Sequence, residues 1–194
     1  MVVGITGGIG SGKTTVVNLF KKQGDIAVYI ADFEAKKLMI ESNIIKKNII
    51  KNFGNESYID GELNRPHISK IVFSDKSKLA LLNSIVHPEV FQHFDNFIKQ
   101  NSDKDYILYE NAILFENGSD KMCDVIITVT ANHALKVDRV MKRDSCTKDA
   151  VLARMSHQWN DSKKALQSNY IIVNDTLGAT ETQIITIHNI LTKK

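Results

Sequence analysis

Cysteine is scarce in this 194-residue chain: Cys123 and Cys146 are the only two, and they stand in no CxxC or Cys/His ligand spacing. A disulfide framework and a zinc site are therefore both excluded, and the two side chains read as reduced thiols. Long apolar runs are also missing. Stretches such as residues 2 to 5 and 125 to 127 fall far short of the about 18 residues that a spanning helix needs, so no membrane partner is expected. Charge of one sign is lacking too, because 25 basic residues face 22 acidic ones for a net charge of +3. That balance excludes a nucleic-acid-coating surface and makes any anion site local. Arginine is the scarcest cation: only Arg65, Arg139, Arg143 and Arg154 accompany 21 lysines, and the last three fall within sixteen residues. The N-terminal residues carry no basic leader or cleavage pattern, so a cytoplasmic setting is expected.

What is present suffices for one core. Hydrophobic residues make up 43% and charged residues 24%, ordinary globular usage for a chain of single-domain length. Residues 2 to 6 read as a buried strand, followed by a glycine-rich turn and a helix over 13 to 22; residues 26 to 31 read as the next strand, completing a βαβ unit. From 32 to 101 the pattern is helical, with a loop over 53 to 64 and an apolar stripe from Leu79 to Phe97. That stripe is expected to break at His87-Pro88, with Pro88 opening a second helix. Strands return at 106 to 109, 125 to 129 and 170 to 173, with helices between and a last helix over 180 to 191. The expected fold is α/β: a doubly wound, five-stranded parallel sheet of the P-loop NTP hydrolase type, with a helical insertion and a helical lid. As one domain it divides into a core of 1–31, 102–130 and 167–194, an insertion of 32–101 and a lid of 131–166.

Gly7-Gly8-Ile9-Gly10-Ser11-Gly12-Lys13-Thr14 fits G-x-x-x-x-G-K-[ST] between a predicted strand and a predicted helix, the context that gives this motif its meaning. Such a loop turns backbone N–H groups onto a phosphate at a helix N-terminus. Gly10, Ser11, Gly12, Lys13, Thr14 and Thr15 are the expected nucleotide contacts. Lys13 is expected to reach the β and γ phosphates, and the Thr14 hydroxyl to bind Mg²⁺. The chain contains no N-K-x-D guanine-reading tetrapeptide, which favours ATP over GTP.

Asp32 follows the second strand, whose carboxyl end lines the ligand crevice of such sheets. It can orient and deprotonate an acceptor hydroxyl, and it can equally serve as a helix N-cap. Glu110, at the end of the third strand, reads either as a holder of metal-bound water or as a solvated strand terminus. Arg139 and Arg143 share a helix face with Lys136, and Arg154 lies on the next helix. In a lysine-rich chain this cluster suggests bidentate phosphate contacts from a mobile flap, Arg143 foremost.

Taken together, these residues resemble the dephospho-coenzyme A kinase family over nearly the whole chain. The likeness rests on the loop and on the ordered series Phe53-Gly54, Asp60-Gly61-Glu62-Leu63-Asn64-Arg65, Val72-Phe73, Leu82-Asn83 and His87-Pro88. The resemblance implies transfer of the ATP γ phosphate to the ribose 3'-hydroxyl of dephospho-coenzyme A, with Asp32 as base and Arg143 on the transferring charge. It also implies Arg139 among the lid arginines, and a helical insertion that binds the acceptor. Arg65 and His87 would touch that acceptor or fix the insertion. Two departures stand out: Ile30 occupies the place of the first Asp in the family's Asp-Ala-Asp segment, and Ala112 that of a proline after strand three. The alternatives are a nucleoside or nucleoside-monophosphate kinase, and a non-catalytic ATP-dependent switch.

Overall fold

The computed structural model describes residues 1–193, and Lys194, the last residue of the expected core, lies outside them. Five strands form one sheet in the order β2-β5-β1-β6-β7: β1 (Val2–Thr6), β2 (Ala27–Ile30), β5 (Ile107–Glu110), β6 (Val125–Thr130) and β7 (Tyr170–Val173). The sheet is parallel, as expected. Gly4 of β1 stands opposite Tyr109 on one side and Ile126 on the other. Central β1 is buried at every position, which is why it reads as an unbroken apolar run rather than an alternating one. Helix α1 (Lys13–Phe20) and helix α9 (Leu177–Thr192) supply Val16, Phe20, Ile184 and Ile187 to a core shared with Val3, Ile5, Leu108 and Ile127.

The chain forms two compact units, one of residues 1–29 and 101–194, the other of residues 30–100. The first holds the sheet together with α6 (His133–Asp144), α7 (Lys148–Met155) and α8 (Asp161–Ala165). The second holds α2 (Ala31–Glu41), α3 (Asn43–Phe53), the short hairpin β3 (Tyr58–Ile59) and β4 (Glu62–Leu63), α4 (Arg65–Ser74) and α5 (Lys76–Gln100). Its core is Ile45, Ile49, Phe53, Ile68, Val72, Val86 and Val90.

Three local expectations are corrected in this second unit. The apolar stripe does not break at His87-Pro88: α5 is one 25-residue helix with Pro88 inside it. A proline within a helix costs about 3 kcal/mol. The buried line of Val86, Val90 and Phe94 runs past it on both sides and holds the helix against its neighbours. The segment over 53 to 64 is not only loop, because Tyr58 pairs with Leu63 and Ile59 with Glu62 across a turn in which Asp60 and Gly61 both have positive φ. That is the backbone a two-residue hairpin turn demands. Finally, Asp32 is not a helix cap, since α2 starts at Ala31 with Ile30 in the cap position and Asp32 already inside the first turn. Among the described residues, no helix is long and apolar enough to cross a membrane.

Candidate functional site

The glycine-rich segment joins the end of β1 to α1, and Gly12 is the cap residue of that helix, with φ 88 and no side-chain hydrogen bond to the first turn. Elsewhere Ser42, Asn64, Asn132, Thr147 and Asn160 cap α3, α4, α6, α7 and α8 through their side chains. Helix α1 has no such cap, so its first N–H groups and its partial positive charge stay available to an anion. A side chain at Gly12 would run into the amide of Asn174, so glycine is required there by close approach as well as by the left-handed backbone.

Lys13 folds back over the loop, its Nζ donating to the carbonyls of Gly7 at 2.9 Å and Gly8 at 3.5 Å. Glu110 Oε1 lies 4.0 Å away. Burial pushes the Lys13 ammonium below its ordinary pKa, an effect that the Glu110 carboxylate opposes. Thr14 and Thr15 are exposed at the helix start. The Thr14 hydroxyl thus has the placement and chemistry to ligate Mg²⁺. No cluster of three His, Cys, Asp or Glu among the described residues could hold a metal ion by itself.

The loop is gripped from distant parts of the chain. Asn174, just past β7, donates from Nδ2 to the Ser11 carbonyl at 2.8 Å, and Thr180 donates to its Oδ1 at 3.0 Å. Arg139 donates from Nη2 to the Asn174 carbonyl at 2.9 Å, while its Nη1 is buried with no partner among the described residues. Ile9 N–H donates to Gln158 Oε1 at 2.9 Å. Farther from the loop, Lys164 is fully buried and donates to both Glu116 oxygens, at 2.7 and 2.9 Å, and to the Ala112 carbonyl at 2.8 Å. Burial lowers its pKa and the Glu116 pairing opposes that shift. Glu116 also accepts from Trp159 N–H, so one ion pair ties the end of the predicted lid to the segment after β5.

Of the expected site residues, Gly10 to Thr15 and Arg139 come together around the loop. Arg143 lies apart from them on the surface of α6, 62% exposed and bonded to its neighbour Asp144 at 2.7 Å. Arg154 shares that carboxylate and also donates to Cys146 Sγ at 3.0 Å. In the helical unit, Asp32 is 80% exposed and pairs with Lys36 at 2.6 Å. Arg65 is exposed at the start of α4. His87 is half-buried in α5 against Phe91, where burial lowers its pKa. No hydrogen bond joins Asp32, Arg65 and His87 to one another among the described residues.

Sequence reasoning did not single out Gln158, Asp161, Lys164 or Glu116, and it noted Lys136 only as sharing a helix face with Arg139. No local pattern marks these residues, because their partners are far away along the chain. Asn174, by contrast, is marked in the sequence by its place at the end of the last strand, which matches the closing segment of the family it resembles and is the position where parallel sheets bind ligands.

Comparison with known proteins matches residues 1–179 to the family described as dephospho-CoA kinase. A dephospho-CoA kinase from Chlorobaculum tepidum is 38% identical over 199 residues, covering 98% of this chain and 95% of its own. Another from Bacteroides fragilis is 34% identical over 173 residues, covering 89% and 84%. Among solved structures, TT1252 from Thermus thermophilus superposes with a TM-score of 0.89 at 27% identity, covering 100% of this chain and 98% of the other.

Proposed function

The chain belongs to the dephospho-CoA kinase family, and from that premise we propose that it transfers the γ phosphate of ATP to the ribose 3'-hydroxyl of dephospho-coenzyme A, releasing ADP and coenzyme A. The observation that carries this reading is the loop itself: an uncapped helix start, glycines pressed against neighbouring groups, and a buried lysine folded across the loop. Such a loop stabilises the polyphosphate through N–H donors already in place, which cost little reorganisation as charge moves.

Within this reading Lys13 exchanges its loop carbonyls for phosphate oxygens, and Asp32 accepts the proton of the 3'-hydroxyl while orienting it for in-line attack. Its exposure leaves the Asp32 carboxylate accessible to an acceptor. Thr14 holds Mg²⁺, which when bound offsets the charge of the phosphate oxygens. Arg139, fixed on Asn174, lies beside Gly12 and serves the nucleotide from a set position. Arg143 serves it only after leaving Asp144, the kind of displacement that lid closure would bring. Arg65 and His87 belong to the acceptor side. Reduced thiols go with a cytoplasmic setting.

The test is a coupled ADP-release assay with a panel of acceptors: dephospho-coenzyme A, adenosine and nucleoside monophosphates. Turnover with dephospho-coenzyme A is expected. Activity confined to a nucleoside monophosphate, or ATP binding without turnover of any acceptor, would overturn the reading.

A further inference from the structure

Besides Lys13, the sheet unit buries two lysines, and they differ in how fully they are used. Lys164 spends three hydrogen bonds on Glu116 and Ala112, which accounts for all the donors of an ammonium group. Lys136, on the first turns of α6, is 9% exposed and spends one, on Asp161 Oδ2 at 2.7 Å. That same oxygen also accepts from the Thr130 hydroxyl at 2.6 Å, while Asp161 Oδ1 is buried with no partner among the described residues. A buried ammonium with unspent donors is costly unless a second acceptor reaches it.

The direction in which Lys136 is held is set by the loop. A Cβ built on Gly8 would lie 2.8 Å from Asp161 Oδ1 and 2.9 Å from Lys136 Nζ. The ion pair therefore sits directly against the first half of the phosphate loop, and a side chain at position 8 would displace it. Ile9, the next residue, is held by Gln158, three residues before Asp161. In a loop of this kind the backbone cradles the inner phosphates and the motif lysine reaches the outer ones, and Lys13 Nζ rests on the carbonyls of Gly7 and Gly8, so the group within reach of the Gly8 end is the outer, transferring phosphate.

We propose that Lys136 is a second phosphate-contacting lysine, stored on Asp161 beside Gly8 and shared with the terminal phosphate of the nucleotide when the loop is filled. Asp161 keeps the ammonium aimed while holding only one of its donors. An anion at the loop would meet two ammonium groups, Lys13 and Lys136, each resting near a carboxylate. This role rests on the nucleotide-loop reading above and adds to it a residue that distinguishes ATP from ADP.

Titration calorimetry of the full chain with Mg·ATP and with Mg·ADP tests it. Lys136→Gln is expected to weaken ATP binding roughly 10- to 100-fold, the range for losing a charged hydrogen bond, while leaving ADP affinity within about twofold. Because that change strands Asp161, the companion is the double variant Lys136→Gln/Asp161→Asn, in which no buried charge remains unpaired; it is expected to show the same loss of preference for ATP. Asp161→Asn alone is expected to keep or tighten ATP binding relative to ADP. A merely structural pair would lower both affinities together, or move only the melting temperature, and would leave the ATP-to-ADP ratio unchanged; that result overturns the proposal. A wild-type protein that binds neither nucleotide overturns the loop reading together with it, whereas normal binding with an unchanged ratio in the variants overturns only the role of Lys136.

Discussion

The sheet unit and the helical unit differ in the sequence range over which they hold their polar groups. Around the phosphate loop the polar contacts join residues far apart in sequence: Asn174 to Ser11 across 163 positions, Ile9 to Gln158 across 149, Glu116 to Lys164 across 48. Ser11, Asn174 and Lys164 are buried, and their partners are at most partly exposed. In the helical unit Ser42 donates to Glu89 across 47 positions and Tyr58 to the Met39 carbonyl across 19, while Asp32, Asn48 and Asn52 bond within one turn on exposed surface. Preorganisation is thus built into the half that binds a charge-dense polyphosphate, where it contributes most to stabilising moving charge. The helical half keeps a well-packed core, yet leaves Phe33 and Phe73 exposed alongside Asp32 and Arg65. Under the proposed function, the difference teaches that one half would be shaped before its ligand arrives and that the other would present side chains for an acceptor to order.

The sharpest way to break this comparison is Lys13→Ala. It is expected to lower turnover by roughly 10²- to 10³-fold, as removal of a preorganised charge contact does, and to weaken ATP binding as well. Unchanged ATP affinity by calorimetry would show that the loop is not the preorganised half. Asp32→Asn is expected to reduce turnover by roughly 10²-fold or more with ATP affinity kept, because the change lies in the open half; near-normal turnover would remove Asp32 from the reaction.

Lys164→Met probes rigidity rather than chemistry. It removes the buried ammonium from a Glu116 carboxylate that is 14% exposed and still accepts from Trp159 N–H, so the cost is expected toward the lower end of the about 3–5 kcal/mol for breaking a buried pair, read as a lower denaturant midpoint. A change within the range of a surface substitution would mean that the ion pair does not secure the end of the lid. The smallest effect is expected at His87. Its folded pKa lies below the usual value of about 6.5, so the unfolded chain binds the proton more readily. The stability it contributes is complete above that value and is lost as pH falls below it toward the folded pKa. His87→Leu should flatten that acid-side loss in chemical denaturation measured across pH; an unaltered pH profile would show that the ring is solvated in solution.

Much of the fold was legible because its signals are contiguous. The run from Val2 to Thr6, the eight-residue loop motif and the later apolar runs each lie in one short window, and the resulting parallel sheet follows from their alternation with helices. The helical unit was less legible where local rules competed with packing. Pro88 marks a helix boundary by its own geometry, and the buried stripe through Val86, Val90 and Phe94 overrides it. The hairpin at Tyr58 to Leu63 is two residues long on each side, too short for any periodicity to declare it.

The candidate site divides along the same line. By itself the sequence determined the loop, the lysine that crosses it and the threonine that follows, because a phosphate cradle is a local backbone device whose residues are neighbours in the chain. It also determined the order of strands and helices, since hydrophobic periodicity is written residue by residue. Only the tertiary structure decided that Gly8 faces Lys136 and Asp161, that Asn174 grips Ser11, and that Arg139 is anchored beside the loop while Arg143 bonds its own neighbour. Those outcomes depend on where helices land on the sheet, which is set by the packing of whole faces. No residue carries that information in its immediate surroundings.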